Sequence, residues 1–277
     1  MTDMTIAGDT DRWMLMGRQS ADGYPLVVRA RVKNDFIVDF EKSNAVSAVI
    51  FDLKPTLIQE NRLPTPTGLS NLHDLEDKAI VALSSLQSHC FHTASVTGDG
   101  RRVLYFAHAK GDEVAALISG IGSEIADVEV TSDFELTTYR EFITPTPLDI
   151  QLDGDQQVIG ALEENGNQAD VPRKVDFWFY GEPLKLQLLA AKLEKLGFEV
   201  DHWLNNPGGV VLSRTMGTEI STFQELTPQL LELAEESGVE YDGWETFAAT
   251  PGNASPHREP PAKPRSFLNK LFGAKKN

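Results

Sequence analysis

One order of elements runs twice along this chain, and that repetition constrains the fold more than any single motif. In the first pass, residues 46–53 are apolar at both alternating positions, the mark of a strand buried on two sides. A helix is predicted over 70–88, where Leu72, Leu75, Ala79, Ala82, Leu83 and Leu86 fall on one stripe. Residues 91–97 and 101–108 form a hairpin around Gly98-Asp99-Gly100. A second helix opens at Asp112, a residue suited to cap it, and carries Val114, Leu117, Ile118 and Ile121 on one face. Residues 126–134 alternate Val128 and Val130 with Asp127, Glu129 and Thr131 and close the pass as a half-wet strand. A further hairpin, over 13–32 with Asp22-Gly23 at its turn, precedes all of this.

The second pass begins with the aromatic strand at 175–180. Pro183 suits the first position of a helix that carries Leu186, Leu189, Leu193 and Leu196 and stops at Gly197. Strands at 198–203 and 210–216 bracket the turn Asn205-Asn206-Pro207-Gly208-Gly209. Thr222 and Glu225 read as a capping box for a helix with Phe223, Leu226, Leu230, Leu233 and Ala234 on one face. Pro228 predicts a kink there, or a start near Thr227. The strand at 239–247, with an Asp-Gly bend between two large aromatics, closes the unit.

Both passes follow the split βαβ plan, two helices on one face of a four-stranded antiparallel sheet. The expected fold is therefore α+β, with two tandem ferredoxin-like domains, the first bearing an extra N-terminal hairpin. Its boundaries are a first domain over 10–145, a linker over 146–172, a second domain over 173–248 and a disordered basic tail over 249–277. Within the linker, Val158, Ile159 and Leu162 predict one short helix.

Charge is placed unevenly. Net charge is -16, but residues 253–277 hold six basic side chains (Arg258, Lys263, Arg265, Lys270, Lys275, Lys276) against Glu259, a net +5. The remaining 19 basic and 40 acidic residues give the body -21. Such a body repels phosphate backbones and steers toward basic partners. The single cysteine, Cys90, excludes an internal disulfide and suits a reducing compartment. The N-terminus lacks the apolar core of a signal peptide, and no run approaches a membrane span, so a cytoplasmic protein is expected.

The second half resembles the bacterial family called regulator of ribonuclease activity B. The likeness rests on Lys174-Val175-Asp176-Phe177, on the helix end from Ala190 to Val200, and above all on Val239-Glu240-Tyr241-Asp242-Gly243-Trp244. The first half resembles domain of unknown function 695 through Trp13, the run from Tyr24 to Arg29, Gly68-Leu69 with the acidic Asp74-Leu75-Glu76-Asp77, and the run from Thr97 to Phe106. The first resemblance implies a protein that acts by binding a ribonuclease, ribonuclease E in the family. The second implies no activity.

From these patterns Tyr241, Asp242, Gly243 and Trp244, with Asp176, are candidate contact residues. The alternative for Tyr241 and Trp244 is burial against their own helices, with Gly243 supplying only a bend. Phe177, Trp178, Phe179 and Tyr180 stand where an RNA-recognition sheet shows stacking rings, but the third strand offers one Arg and no aromatic, which argues against direct nucleic-acid binding. His73, Glu76, His89, Cys90 and His92 have metal-like spacings without a second ligand pair, so no metal or cofactor is expected. No nucleophile elbow, phosphate loop or dinucleotide motif occurs, and no spacing selects an acid/base pair. Arg101 and Arg102 beside Asp74 and Asp77 are the basis of a rival reading, an enzyme or a pocket for a small anionic ligand in the first domain. Phe267, Leu268, Leu271 and Phe272 make the tail amphipathic, suited to a partner groove or, weakly, to an anionic membrane. The leading expectation is a non-enzymatic binding protein whose partner presents a basic surface.

Overall fold

The computed structural model describes residues 12–32, 35–86, 89–121 and 125–249. The chain divides into two compact units, residues 1–145 and 146–277. The expected tail and its amphipathic element fall outside the described residues.

In the first unit, β1 (Arg12–Gln19) and β2 (Pro25–Val32) form the hairpin, followed by α1 (Asp35–Ser43) and β3 (Ala45–Leu53). Then come α2 (Pro66–Leu83), β4 (Cys90–Gly98), β5 (Arg101–His108), α3 (Val114–Ile118), β6 (Ala126–Thr131) and α4 (Leu136–Ile143). The sheet runs β1-β2-β4-β5-β3-β6, with every pairing antiparallel. Its β6-β3-β5-β4 part is the ferredoxin-like order, and the hairpin extends it beyond β4. β3 lies inside the sheet with Val49 and Phe51 fully buried, as its apolar run predicts.

Helices differ from expectation in ways the local chemistry explains. α2 starts four residues before the predicted start at residue 70, because Thr65 accepts a hydrogen bond from the Gly68 N–H and Pro66 fits the first turn. Asp112 does not cap α3. The cap position is Glu113, without a side-chain bond, and Asp112 instead stands 3.8 Å from His108. α1 and α4 were not expected. They cover the sheet face opposite α2 and α3, around Ile37, Val46, Phe91, Ala107 and Tyr139. The first sheet is therefore covered on both faces, and every residue of β4 is buried.

The second unit contains α5 (Pro147–Glu164), β7 (Arg173–Tyr180), α6 (Pro183–Glu194), β8 (Glu199–Asn205), β9 (Gly208–Met216), α7 (Ile220–Ser237) and β10 (Glu240–Glu245). Its sheet runs β10-β7-β9-β8, again the ferredoxin-like order. Val175, Phe177 and Phe179 of β7 meet Leu186, Leu189, Leu193, Phe223 and Leu230 in its core. Much of the expected linker is helix. α5 has 18 residues and a reciprocal capping box between Thr146 and Asp149, and it adds Ile159 and Leu162 to that core. The box expected at Thr222 is absent, because α7 begins earlier and places Thr222 inside its first turn. α7 continues through Pro228 and ends at Gly238 in the left-handed conformation that glycine favours. No helix among the described residues is long and apolar enough to cross a membrane.

Candidate protein-binding face

β10 divides its signature between two faces. Trp244, 6% exposed, stacks on Phe223 with ring centroids 4.0 Å apart. Its indole N–H donates to Asp155 Oδ1 at 2.8 Å, and the Thr227 hydroxyl donates to Oδ2 at 2.6 Å. Asp155 is 1% exposed, and burial pushes its carboxyl up to about 6 against the hydrogen bonds that hold it. Tyr241, 3% exposed, packs on Phe179, and burial raises its hydroxyl well above the usual tyrosine range. That hydroxyl finds no hydrogen-bond partner among the described residues. Tyr241 and Trp244 are therefore packing residues on the helix side of the sheet.

The Asp-Gly pair makes a β-bulge. The register between β10 and β7 shifts between Tyr241 and Gly243, so Asp242 is the extra residue. Gly243 has φ +104°, and a Cβ there would sit 3.0 Å from Gln151 Nε2. Glycine meets both demands.

The other face of this sheet carries the functional candidates. Side chains alternate along β7, so Lys174, Asp176, Trp178 and Tyr180 point away from the α6 and α7 core. Glu240 pairs with Tyr180 and Glu245 with Asp176 across the β10 edge. His202 on β8 meets Trp178 edge-on, with centroids 6.1 Å apart, and its Nδ1 lies 2.7 Å from Asp201. Lys174 bonds Asp201 and stands 3.1 Å from Asp176. Burial raises the Asp176 and Glu245 carboxyls; Asp176 raises Glu245 further, and Asp201 raises Asp176. Asp242 and its acidic neighbours add to burial in raising Tyr180. The result is a partly exposed surface on which the Trp178, Tyr180 and His202 rings stand among Asp176, Asp201, Glu240, Asp242 and Glu245, with Lys174 beside them. Val211 and Ser213 lie opposite Trp178 and Asp176 on β9, where an RNA-binding sheet would offer cations and rings.

Arg101 and Arg102 do not form a pair. Successive strand residues point to opposite faces, and Arg102 is 5% exposed beneath α2. It bonds Glu76 at 2.8 Å and Thr97 at 2.9 Å, and Arg29 takes the other Glu76 oxygen. Asp74 and Asp77 lie on the exposed side of α2 and take no part. Arg101 instead lines a cleft of about 470 Å³ on the α4 side, with Leu26, Val103, Tyr105, Phe134 and Phe142. Below it, Tyr139 links Thr93 to the buried Glu41, which also pairs with Arg140 at 3.2 Å.

Of the residues with metal-like spacings, Glu76 and His92 come within 3.9 Å of each other. No group of three or more His, Cys, Asp or Glu is placed to hold a metal among the described residues. Burial pushes the Cys90 thiol up to about 12 and His92 down to about 3. Both are inert core groups. Asp155 escaped sequence reasoning, and Glu76 was singled out only for its spacing from His73, because an acidic residue on a helix ordinarily marks its wet side. The four rings of β7, taken together in the sequence, divide in the structure: Phe177 and Phe179 are buried, and Trp178 and Tyr180 lie on the other face.

Comparison with known proteins agrees with this division. Residues 152–246 match the family model for regulator of ribonuclease activity B, and residues 11–144 match that of a family of unknown function (DUF695). A regulator of ribonuclease activity B from Xenorhabdus nematophila is 30% identical over 115 residues, which cover 39% of this chain and 82% of that protein. One from Pseudoalteromonas atlantica is 27% identical over 100 residues, 33% of this chain and 86% of the relative. On its second unit, the chain belongs to the regulator of ribonuclease activity B family.

Proposed function

We propose that the second unit is a non-enzymatic binding module that modulates a ribonuclease by docking a basic segment of it on the open sheet face. Ribonuclease E is the partner the family resemblance implies, and the cytoplasm is the setting. The observation that carries this reading is the placement of Trp178 and Tyr180 among Asp176, Asp201, Glu240, Asp242 and Glu245 on one surface. Ring faces attract guanidinium groups by about 0.5–1 kcal/mol at exposed sites. Carboxylates accept paired N–H bonds from the same groups. Burial raises the Glu245 carboxyl first and repulsion from Asp176 adds to it; an arginine entering between the two relieves that repulsion. Phosphate would meet the opposite response, so RNA is not the ligand of this face.

The test is titration calorimetry of the full chain with an arginine-rich ribonuclease segment at physiological salt. Asp242→Lys with Glu245→Lys should weaken binding by about tenfold or more, ~1.4 kcal/mol. Trp178→Ala should weaken it by severalfold. Unchanged affinity in all of these variants sinks the reading.

The cleft at Arg101 supports a second reading for the first unit, a site for a small anionic ligand with an apolar body. Its volume lies within the roughly 300–1,000 Å³ of small-molecule sites. A thermal shift with aromatic carboxylates that Arg101→Met abolishes would support this, and one that survives the substitution would retire it.

A further inference from the structure

The open face and the chain's own C-terminal segment are chemically complementary. Residues 253–277 contain six basic side chains and one acidic, and include Phe267, Leu268, Leu271 and Phe272. A basic stretch with large apolar groups is the class of ligand that carboxylates set around Trp178 and Tyr180 would take. We infer that this segment occupies the open face in cis and competes there with the basic partner, an inference that rests on the proposed function of that face.

The course of the chain supports it. β10 ends at Glu245, paired with Asp176 at the border of the face. The Thr246 hydroxyl then donates to the Lys174 carbonyl at 2.6 Å, which keeps the strand running beside β7. Ala249 is held at both backbone groups: its N–H donates to Asn167 Oδ1 at 3.0 Å, and its carbonyl accepts from Gln168 at 2.9 Å. The remaining residues therefore start at the β7–β10 side of the sheet, where Ala248 still touches the helix-side core, and they reach the open face by rounding that edge.

Length is sufficient. Fifteen residues lie between Ala249 and Arg265, and a chain spans at most ~3.3–3.6 Å per residue, about 50 Å in all. The eight residues of β7 extend over about 26 Å at ~3.3 Å each, so every part of the face lies within the tether. Tethering also supplies an effective concentration on the order of millimolar. A tail of only ~100 µM intrinsic affinity would then weaken binding of an outside ligand by about tenfold. The device is a competitive guard, which admits partners basic enough to displace it.

Two measurements on the full chain test this. Zero-length carbodiimide coupling at low salt should join Lys263, Lys270, Lys275 or Lys276 to Asp201, Glu240, Asp242 or Glu245 within one chain. These cross-links should disappear near ~0.5 M salt, where the Debye length falls to a few ångströms. Separately, a full-length variant with Arg265→Gln, Lys270→Gln, Lys275→Gln and Lys276→Gln should bind a fluorescent nona-arginine peptide about tenfold tighter than the parent. That gain should vanish when Asp242→Lys and Glu245→Lys are added, which separates it from the change in net charge. Cross-links that map elsewhere, tail binding to phosphatidylglycerol vesicles in their place, or a neutralised tail that leaves a measurable peptide affinity unchanged overturns the inference. Cross-links on the face in a protein that binds nona-arginine with neither tail uphold the inference and remove the basic-partner reading.

Discussion

Asp155 is a carboxyl with a donor on each oxygen and almost no water. Thr227 and Trp244 satisfy it, yet desolvation outweighs them and its pKa rises to about 6. A raised carboxyl in the native state makes stability fall as pH climbs. Below about 4 the group is neutral whether folded or unfolded. Between there and about 6 the native state holds a proton that the unfolded state has released, and above that range a buried charge persists. Two pKa units correspond to at most about 3 kcal/mol. Asp155→Asn should therefore flatten the decline of melting temperature between pH 4 and 7, since Asn keeps an acceptor for the indole. A wild-type melting temperature that rises steadily across that range, or an unchanged slope in the variant, would refute this account.

Elements were legible where burial alone set the pattern and obscure where a few polar atoms did. β3 was read directly, because the absence of alternation reports cover on both faces, and β7 was read as a strand from its aromatics without a division of its faces. α5 was missed in most of its length. Its N-terminus depends on the exchange of bonds between Thr146 and Asp149, and Asp153-Gly154-Asp155 looks like a turn until Asp155 finds Thr227 and Trp244. α1 and α4 were missed because the split βαβ plan supplies helices to one face only, although the two-sided burial read for β3 required cover on the second. The bulge in β10 was legible as a glycine requirement, but its consequence was not: an extra residue sends Tyr241 and Trp244 inward and leaves Asp242 outside. Gly243→Ala tests that element. At φ +104° and 3.0 Å from Gln151, the new methyl should cost about 1–3 kcal/mol in denaturant unfolding. It should also weaken basic-peptide binding by displacing Asp242. An alanine variant as stable as the parent would mean the bulge is not held by its neighbours.

Across the molecule, charge distribution has a kinetic consequence. A body of -21 draws basic chains from a distance, whereas the open face only has to hold them once they arrive. The two stages respond differently to salt. Long-range attraction is screened beyond ~10 Å at 0.1 M, while half-buried carboxylates such as Asp176 and Glu245 are screened less. Stopped-flow association with an arginine-rich segment should therefore slow by about tenfold between ~50 and ~300 mM salt, with a much smaller change in dissociation. Asp242→Lys with Glu245→Lys should do the reverse, raising dissociation more than it slows association, because two of forty body carboxylates contribute little to the distant field. If salt acted mainly on dissociation, the acidic body would be irrelevant to capture and the face alone would account for recognition.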